Sequence, residues 1–144
     1  MDKKVAGIIF SDIDGTLLNS SHHIGACTRR KVLALDQRGI PFILVSARMP
    51  DGVYLVQKEL GTRRPVICYS GGLVLDEEGK ALYSCRMELA LAGAAEQLIK
   101  KEYPNICCNI YGGNQWVVKD DQNPWVIREE TITRSKAVVG DVQS

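Results

Sequence analysis

Apolar positions along the chain fall first in short unbroken runs and later into alternation. Val5-Ala6-Gly7-Ile8-Ile9-Phe10 is continuously apolar, the pattern of a parallel strand covered on both faces. From Gly25 to Gln37, Val32, Leu33 and Leu35 alternate in blocks with Arg29, Arg30 and Lys31. That spacing predicts an amphipathic helix, with Gly39 as its stop. Ile40 to Val45 predicts a second buried strand, with Pro41 near its start. Pro50 occupies the first-turn position that proline favours, so a second helix is expected from there to about Leu60, closed by Gly61. Val66 to Tyr69 reads as a third strand.

Strand, helix, strand, helix, strand in that order indicates an α/β fold with a parallel sheet and right-handed crossovers. The rhythm then changes. Leu73-Val74-Leu75 and Ala81-Leu82-Tyr83 flank a glycine-containing loop and predict a hairpin. Met87 to Tyr103 predicts a long helix that Pro104 ends. Ile106 to Tyr111 and Gln115 to Val118 predict a second hairpin around Gly112-Gly113-Asn114. Residues 1–82 therefore form one α/β unit, and residues 83–144 read as the opening of an α+β domain.

Composition narrows the function classes. Of 144 residues, 45% are apolar, and 18 Lys+Arg against 17 Asp+Glu leave a net charge of +1. A chain of this size buries roughly 68–70% of its unfolded surface, so a real core is expected and disorder is excluded. The missing cationic excess argues against a nucleic-acid partner. No run approaches the roughly 20 apolar residues of a membrane span, so no membrane partner is expected. The opening run is too short for a signal-peptide core. Five cysteines form an odd set without a Cys-x-x-Cys pair, which points away from disulfides and toward a reducing cytoplasm.

Candidate chemistry is concentrated in Ile8-Ile9-Phe10-Ser11-Asp12-Ile13-Asp14-Gly15-Thr16. A buried strand delivers two carboxylates, two residues apart, to its carboxyl end, where ligands bind in open α/β sheets. If the extended geometry continues past Phe10, both acids face one side. Two anions that close repel unless a cation lies between them, and a hard ion such as Mg²⁺, held by few carboxylates with phosphate oxygens and waters, resolves the conflict. Gly15 lets the backbone turn sharply beside a ligand. Other candidates are weaker. With Gly15 as the sixth position of a calcium loop, Phe10 and Ser21 would stand at its ends, so that reading fails. His22-His23 lacks a second ligand group at a sensible spacing, and Trp116 and Trp125 read as packing residues.

These residues resemble the first motif of the haloacid dehalogenase (HAD) superfamily of phosphotransferases, a hydrophobic strand followed by Asp-x-Asp-Gly-Thr. Ser46, after Ile43-Leu44-Val45, matches the family's second motif. Its Cof-like branch, subfamily IIB, has Thr-Gly-Arg there and Asn-Gly-Ala after the third strand, against Ser46-Ala47-Arg48 and Ser70-Gly71-Gly72 here. The resemblance implies a Rossmann-like core with an incomplete parallel sheet (1–82) and a partial α+β cap (83–144). It also implies a phosphatase acting on small phosphorylated metabolites such as sugar phosphates. On that pattern Asp12 attacks phosphorus and carries an aspartyl-phosphate, and Asp14 is the acid and base. The Asp12 carboxylate and the Asp14 main-chain oxygen bind Mg²⁺. The Ser46 hydroxyl and nearby amides, those of Ile13 and Ala47 among them, hold phosphoryl oxygens, while Arg48, Ser70 and Gly71 face substrate.

The same resemblance implies a third-motif lysine and a fourth-motif acidic cluster beyond the cap. Gly140-Asp141 comes too early for the latter, and Lys136 to Asp141 resembles a cap strand instead. Cof-like proteins are nearly twice this length, so the sequence reads as an amino-terminal half. The alternative function is accordingly a catalytically inactive domain that folds, or binds phosphate or Mg²⁺ weakly. Family strand order would leave Val5–Phe10 as an open edge, from which a homo-oligomer is expected.

Overall fold

The computed structural model describes residues 7–141. Val5 and Ala6, the start of the first predicted strand, lie outside the described residues. The chain divides into two compact units, Met1–Ser84 and Cys85–Ser144.

In the first unit the elements run β1 (Ile9–Asp12), α1 (Ala26–Gln37), β2 (Phe42–Val45), α2 (Pro50–Leu60), β3 (Val66–Cys68), β4 (Leu73–Leu75) and β5 (Ala81–Ser84). The strands form one sheet in the order β1-β2-β3-β4-β5. β1, β2 and β3 are parallel, with Asp12 opposite Val45 and Val45 opposite Ile67. The β4 and β5 hairpin continues the sheet antiparallel. Local chemistry sets the boundaries. α2 starts with Pro50 in its first turn and stops at Gly61, whose φ of 81° lets its N–H reach the Gln57 and Lys58 carbonyls. β3 stops at Cys68, one residue before the predicted end, because Tyr69 turns to a φ of 52°.

One face of this sheet carries the core. Phe42, Leu44, Val66, Cys68, Leu73 and Leu75 pack with Val32 of α1 and Val53, Val56 and Leu60 of α2. Each such side chain contributes about 1.5–3 kcal/mol when fully buried. Ile9 joins this cluster from β1. The neighbouring Phe10 projects to the opposite face, opposite Ile43 in register, and remains 56% exposed. Ile8 is also exposed. The expectation of a first strand covered on both faces is therefore met on one face only among the described residues. The physical reason is packing: α1 and α2 contribute to the cluster on the Ile9 face, and Phe10 points to the other one.

The second unit contains α3 (Leu89–Glu102), β6 (Ile110–Gly112), β7 (Gln115–Val118), α4 (Pro124–Thr133) and β8 (Val138–Val139). β6 and β7 form the predicted hairpin, but its first strand begins at Ile110 and not at Ile106. β8 adds parallel to β7, within the segment that reads as a cap strand. α4 was not anticipated. Its start is nevertheless written in Asn123-Pro124: the Asn123 side chain accepts from the Trp125 N–H at 3.0 Å, and proline occupies the first turn. The two tryptophans divide. Trp116 is buried, stacked on Tyr111 with centroids 5.6 Å apart, and donates Nε1–H to Asn109. Trp125 is exposed beneath the Arg128 guanidinium, so packing does not describe it. No helix among the described residues is long and apolar enough to cross a membrane.

Candidate active site

Three loops meet at the carboxyl ends of β1, β2 and β3, and the sequence-predicted residues all lie on them. The chain leaves β1 through a tight turn, Ile13–Leu17, closed by the Leu18 N–H on the Ile13 carbonyl at 3.0 Å. Ile13 is fully buried in the core cluster, whereas Asp12 and Asp14 on either side of it are exposed. The apolar residue between the acids thus anchors the loop and turns both carboxylates away from the core. Gly15, at a φ of 74°, completes the turn that a side chain would strain. Asp12 takes the Thr16 hydroxyl on Oδ2 at 3.4 Å, and its main-chain oxygen accepts from Ser11 Oγ at 2.9 Å.

The second loop, Ser46-Ala47-Arg48, leads into α2. Ser46 is buried, and its Oγ accepts the Arg48 N–H at 3.1 Å, which leaves the hydroxyl hydrogen to donate. Ala47 is exposed beside it. Arg48 closes a planar fork on Asp14: Nε donates to Oδ2 at 2.9 Å and Nη2 to Oδ1 at 2.6 Å. The Arg48 side chain is 8% exposed and that of Asp14 45%. A two-point contact of this kind fixes orientation as well as distance. The resemblance implies that Arg48 faces substrate; the structure shows it gripping the second carboxylate.

The third loop, Tyr69–Gly71, is tied to the second through its backbone. Tyr69 N–H donates to the Arg48 carbonyl at 3.2 Å and Ser70 N–H to the Ser46 carbonyl at 3.0 Å. Tyr69, Ser70 and Gly71 all have positive φ, of 52°, 53° and 100°. For the first two this is a left-handed conformation that L side chains adopt at a cost. Asn, which the Cof-like pattern has at this position, tolerates that region better than Ser. Ser70→Asn is therefore expected to raise unfolding stability by about 0.5 kcal/mol, read as a higher denaturant midpoint at unchanged slope. Burial pushes the Tyr69 hydroxyl up to about 12 and the Cys68 thiol up to about 11, so both stay protonated at neutral pH. Cys68 is a packing residue here, not a nucleophile.

Oxygen donors dominate the metal question. No three His, Cys, Asp or Glu side chains come together as a ligand group among the described residues. An ion that takes few protein ligands and keeps its waters still fits. The exposed Asp12 carboxylate and the Asp14 main-chain oxygen are hard donors of the kind Mg²⁺ accepts beside phosphate. His22 and His23 lie in an exposed loop away from these acids in sequence, with His23 Nδ1 3.8 Å from Glu59.

Comparison with known proteins bears on this arrangement. Residues 9–141 match the family model for haloacid dehalogenase-like hydrolases. A Haemophilus influenzae protein, provisionally named a phosphatase, is 34% identical over 126 residues, covering 88% of this chain and 48% of that protein. A haloacid dehalogenase-like hydrolase from Bacteroides thetaiotaomicron superposes with a TM-score of 0.82 at 21% identity, over 94% of this chain and 51% of that one. A sugar phosphatase described as HAD subclass IIB gives 0.76 at 19% identity, over 95% and 53%. These two structures carry the fold, a mixed α/β arrangement with parallel strands. The chain spans about half the length of the relatives it matches.

Proposed function

Because this chain belongs to the haloacid dehalogenase-like hydrolase family, we propose that it serves Mg²⁺-dependent hydrolysis of small phosphomonoesters, sugar phosphates among them, by way of a phosphoryl group carried on Asp12. The observation that carries this reading is the convergence of three loops. Asp12 ends β1 with Asp14 two residues on, and Arg48, on the loop after the adjacent parallel strand β2, grips Asp14 while its N–H holds the buried Ser46 hydroxyl. The cap assignment for residues 83–144 belongs to the same proposal, as does a cytoplasmic location.

Each residue has a task its chemistry allows. Asp12 is exposed and its carboxylate takes one long hydrogen bond from Thr16, so it is available to attack phosphorus. Asp14 supplies a proton to the leaving alcohol and later removes one from water. The Ser46 hydroxyl donates to a phosphoryl oxygen, with the Ile13 and Ala47 amides as further donors. Ser70, held against Ser46 through its backbone N–H, and the neighbouring Gly71 contact the rest of the substrate. Mg²⁺, when bound, neutralises charge on the transferring phosphoryl group. The assay is p-nitrophenyl phosphate hydrolysis with and without Mg²⁺. Metal-dependent release lost in the Asp12 variant supports the reading, and release that ignores both sinks it.

A second reading is a domain that binds phosphate or Mg²⁺ weakly without turnover. It is favoured by the absence of a three-ligand acidic group among the described residues. Phosphate binding without release would select it.

The exposed edge bears on association. β1 pairs with β2 on one side only among the described residues, and Ile8 and Phe10 are exposed along it. An uncovered apolar edge of this kind recruits another strand. Sedimentation at tens of micromolar is expected to show a homo-oligomer, and Phe10→Lys to shift it toward monomer. A clean monomer for the unsubstituted chain would contradict this.

A further inference from the structure

Asp14 and Arg48 form a pair whose two members are unequally held. The Arg48 side chain is almost fully enclosed at 8% exposure, while that of Asp14 is nearly half open at 45%. Both carboxylate oxygens accept from Arg48, at 2.6 and 2.9 Å. An enclosed guanidinium cannot be left unpaired without large cost. The carboxylate can turn toward solvent at much smaller cost. A planar fork that fits a carboxylate also fits two oxygens of a phosphoryl group. The Ser46 hydroxyl lies on the same short loop, fixed by its own bond to the Arg48 N–H at 3.1 Å.

We propose that Asp14 is a placeholder on an anion site: its carboxylate occupies the Arg48 fork at rest, and an incoming phosphoryl group displaces it. The inference rests on the phosphotransfer reading of this site and adds to it an internal competition. Arg48 exchanges one anion for another, so its charge is never left bare. Asp14, once released, has an oxygen free of Arg48 donors and open to a leaving group. Access of the acid to its task is thereby coupled to arrival of the phosphoryl group, with Arg48 as the positioning residue.

Inorganic phosphate is the probe, titrated calorimetrically into the full chain at fixed Mg²⁺. Asp14→Ala removes the competitor and should tighten phosphate binding about tenfold, a coupling normal for groups in one hydrogen-bonded pair. In an Arg48→Gln background the same substitution should give a much smaller gain, the part that relieved repulsion alone supplies. This second arm is decisive, because loss of a nearby negative charge tightens anion binding by simple repulsion whatever Arg48 does. A gain of undiminished size without Arg48 overturns the proposal. Asp14→Asn, which keeps one acceptor, serves as the gentler variant if Asp14→Ala does not fold. In the unsubstituted chain, the Arg48 Nε–H resonance should move with phosphate along the calorimetric isotherm, and an unmoved resonance on saturation likewise overturns the proposal. Absence of phosphate binding in every variant would overturn the phosphotransfer reading itself, and this inference with it.

Discussion

Asp12→Asn is expected to cut phosphate release from p-nitrophenyl phosphate by about 10⁴-fold or more, the scale on which loss of a covalent nucleophile acts. The unfolding midpoint should stay where it is. Both halves of the expectation come from the same local geometry. Asp12 stands at the end of β1 with its side chain exposed, in contact with Thr16 through one hydrogen bond of 3.4 Å. Asn has the same shape and keeps an acceptor for that bond, so little packing or polar satisfaction is lost. It lacks the negative oxygen that is proposed to attack phosphorus. Turnover near that of the unsubstituted chain would remove Asp12 from the nucleophile's role.

Asp14→Ala should behave oppositely, lowering stability as well as activity. The substitution leaves the enclosed Arg48 guanidinium without its partner. Truncating one member of a fully buried ion pair costs several kcal/mol; with Asp14 nearly half exposed, the loss here is about 2 kcal/mol. Chemical denaturation reads this as a lower midpoint. Arg48→Met added to Asp14→Ala should recover most of the loss, because removing both charges leaves none stranded. A single Asp14→Ala variant as stable as the unsubstituted chain would show that the fork does not hold the β1 and β2 loops together. The contrast between the two acids is the useful feature. One is expendable for folding and the other is not, although they stand two residues apart.

Much of the first unit is legible in the sequence because local signals and burial agree there. Pro50 and Gly61 bracket α2 with a first-turn proline and a left-handed stop, and the apolar runs at Phe42–Val45 and Val66–Cys68 are strands at the centre of the sheet. The acids at 12 and 14 share an exposed side because Ile13 between them is driven into the core, a consequence of alternation along an extended chain. The Arg48 fork is less legible. It depends on the parallel register that puts Asp12 opposite Val45, and no local pattern encodes which of two nearby carboxylates the guanidinium takes. The left-handed turn at Tyr69 and Ser70 is invisible too, since neither residue advertises positive φ. α4 illustrates the remaining kind of gap. Its apolar Trp125 and Ile127 are exposed, and its buried positions are Val126 and Thr133, so hydrophobic periodicity gives no cue. Only the capping Asn123 and Pro124 announce it.

The proposed chemistry requires phosphorus to bond to one particular carboxylate, that of Asp12. Acid quenching of the chain during turnover of p-nitrophenyl phosphate with Mg²⁺, followed by reduction of any acyl phosphate and peptide mass spectrometry, tests that directly. The predicted result is a modified residue at position 12 and no other, absent when Asp12 is Asn. Phosphate release from the unsubstituted chain with the label on any other side chain, or with Asp12 unmodified throughout, would contradict it.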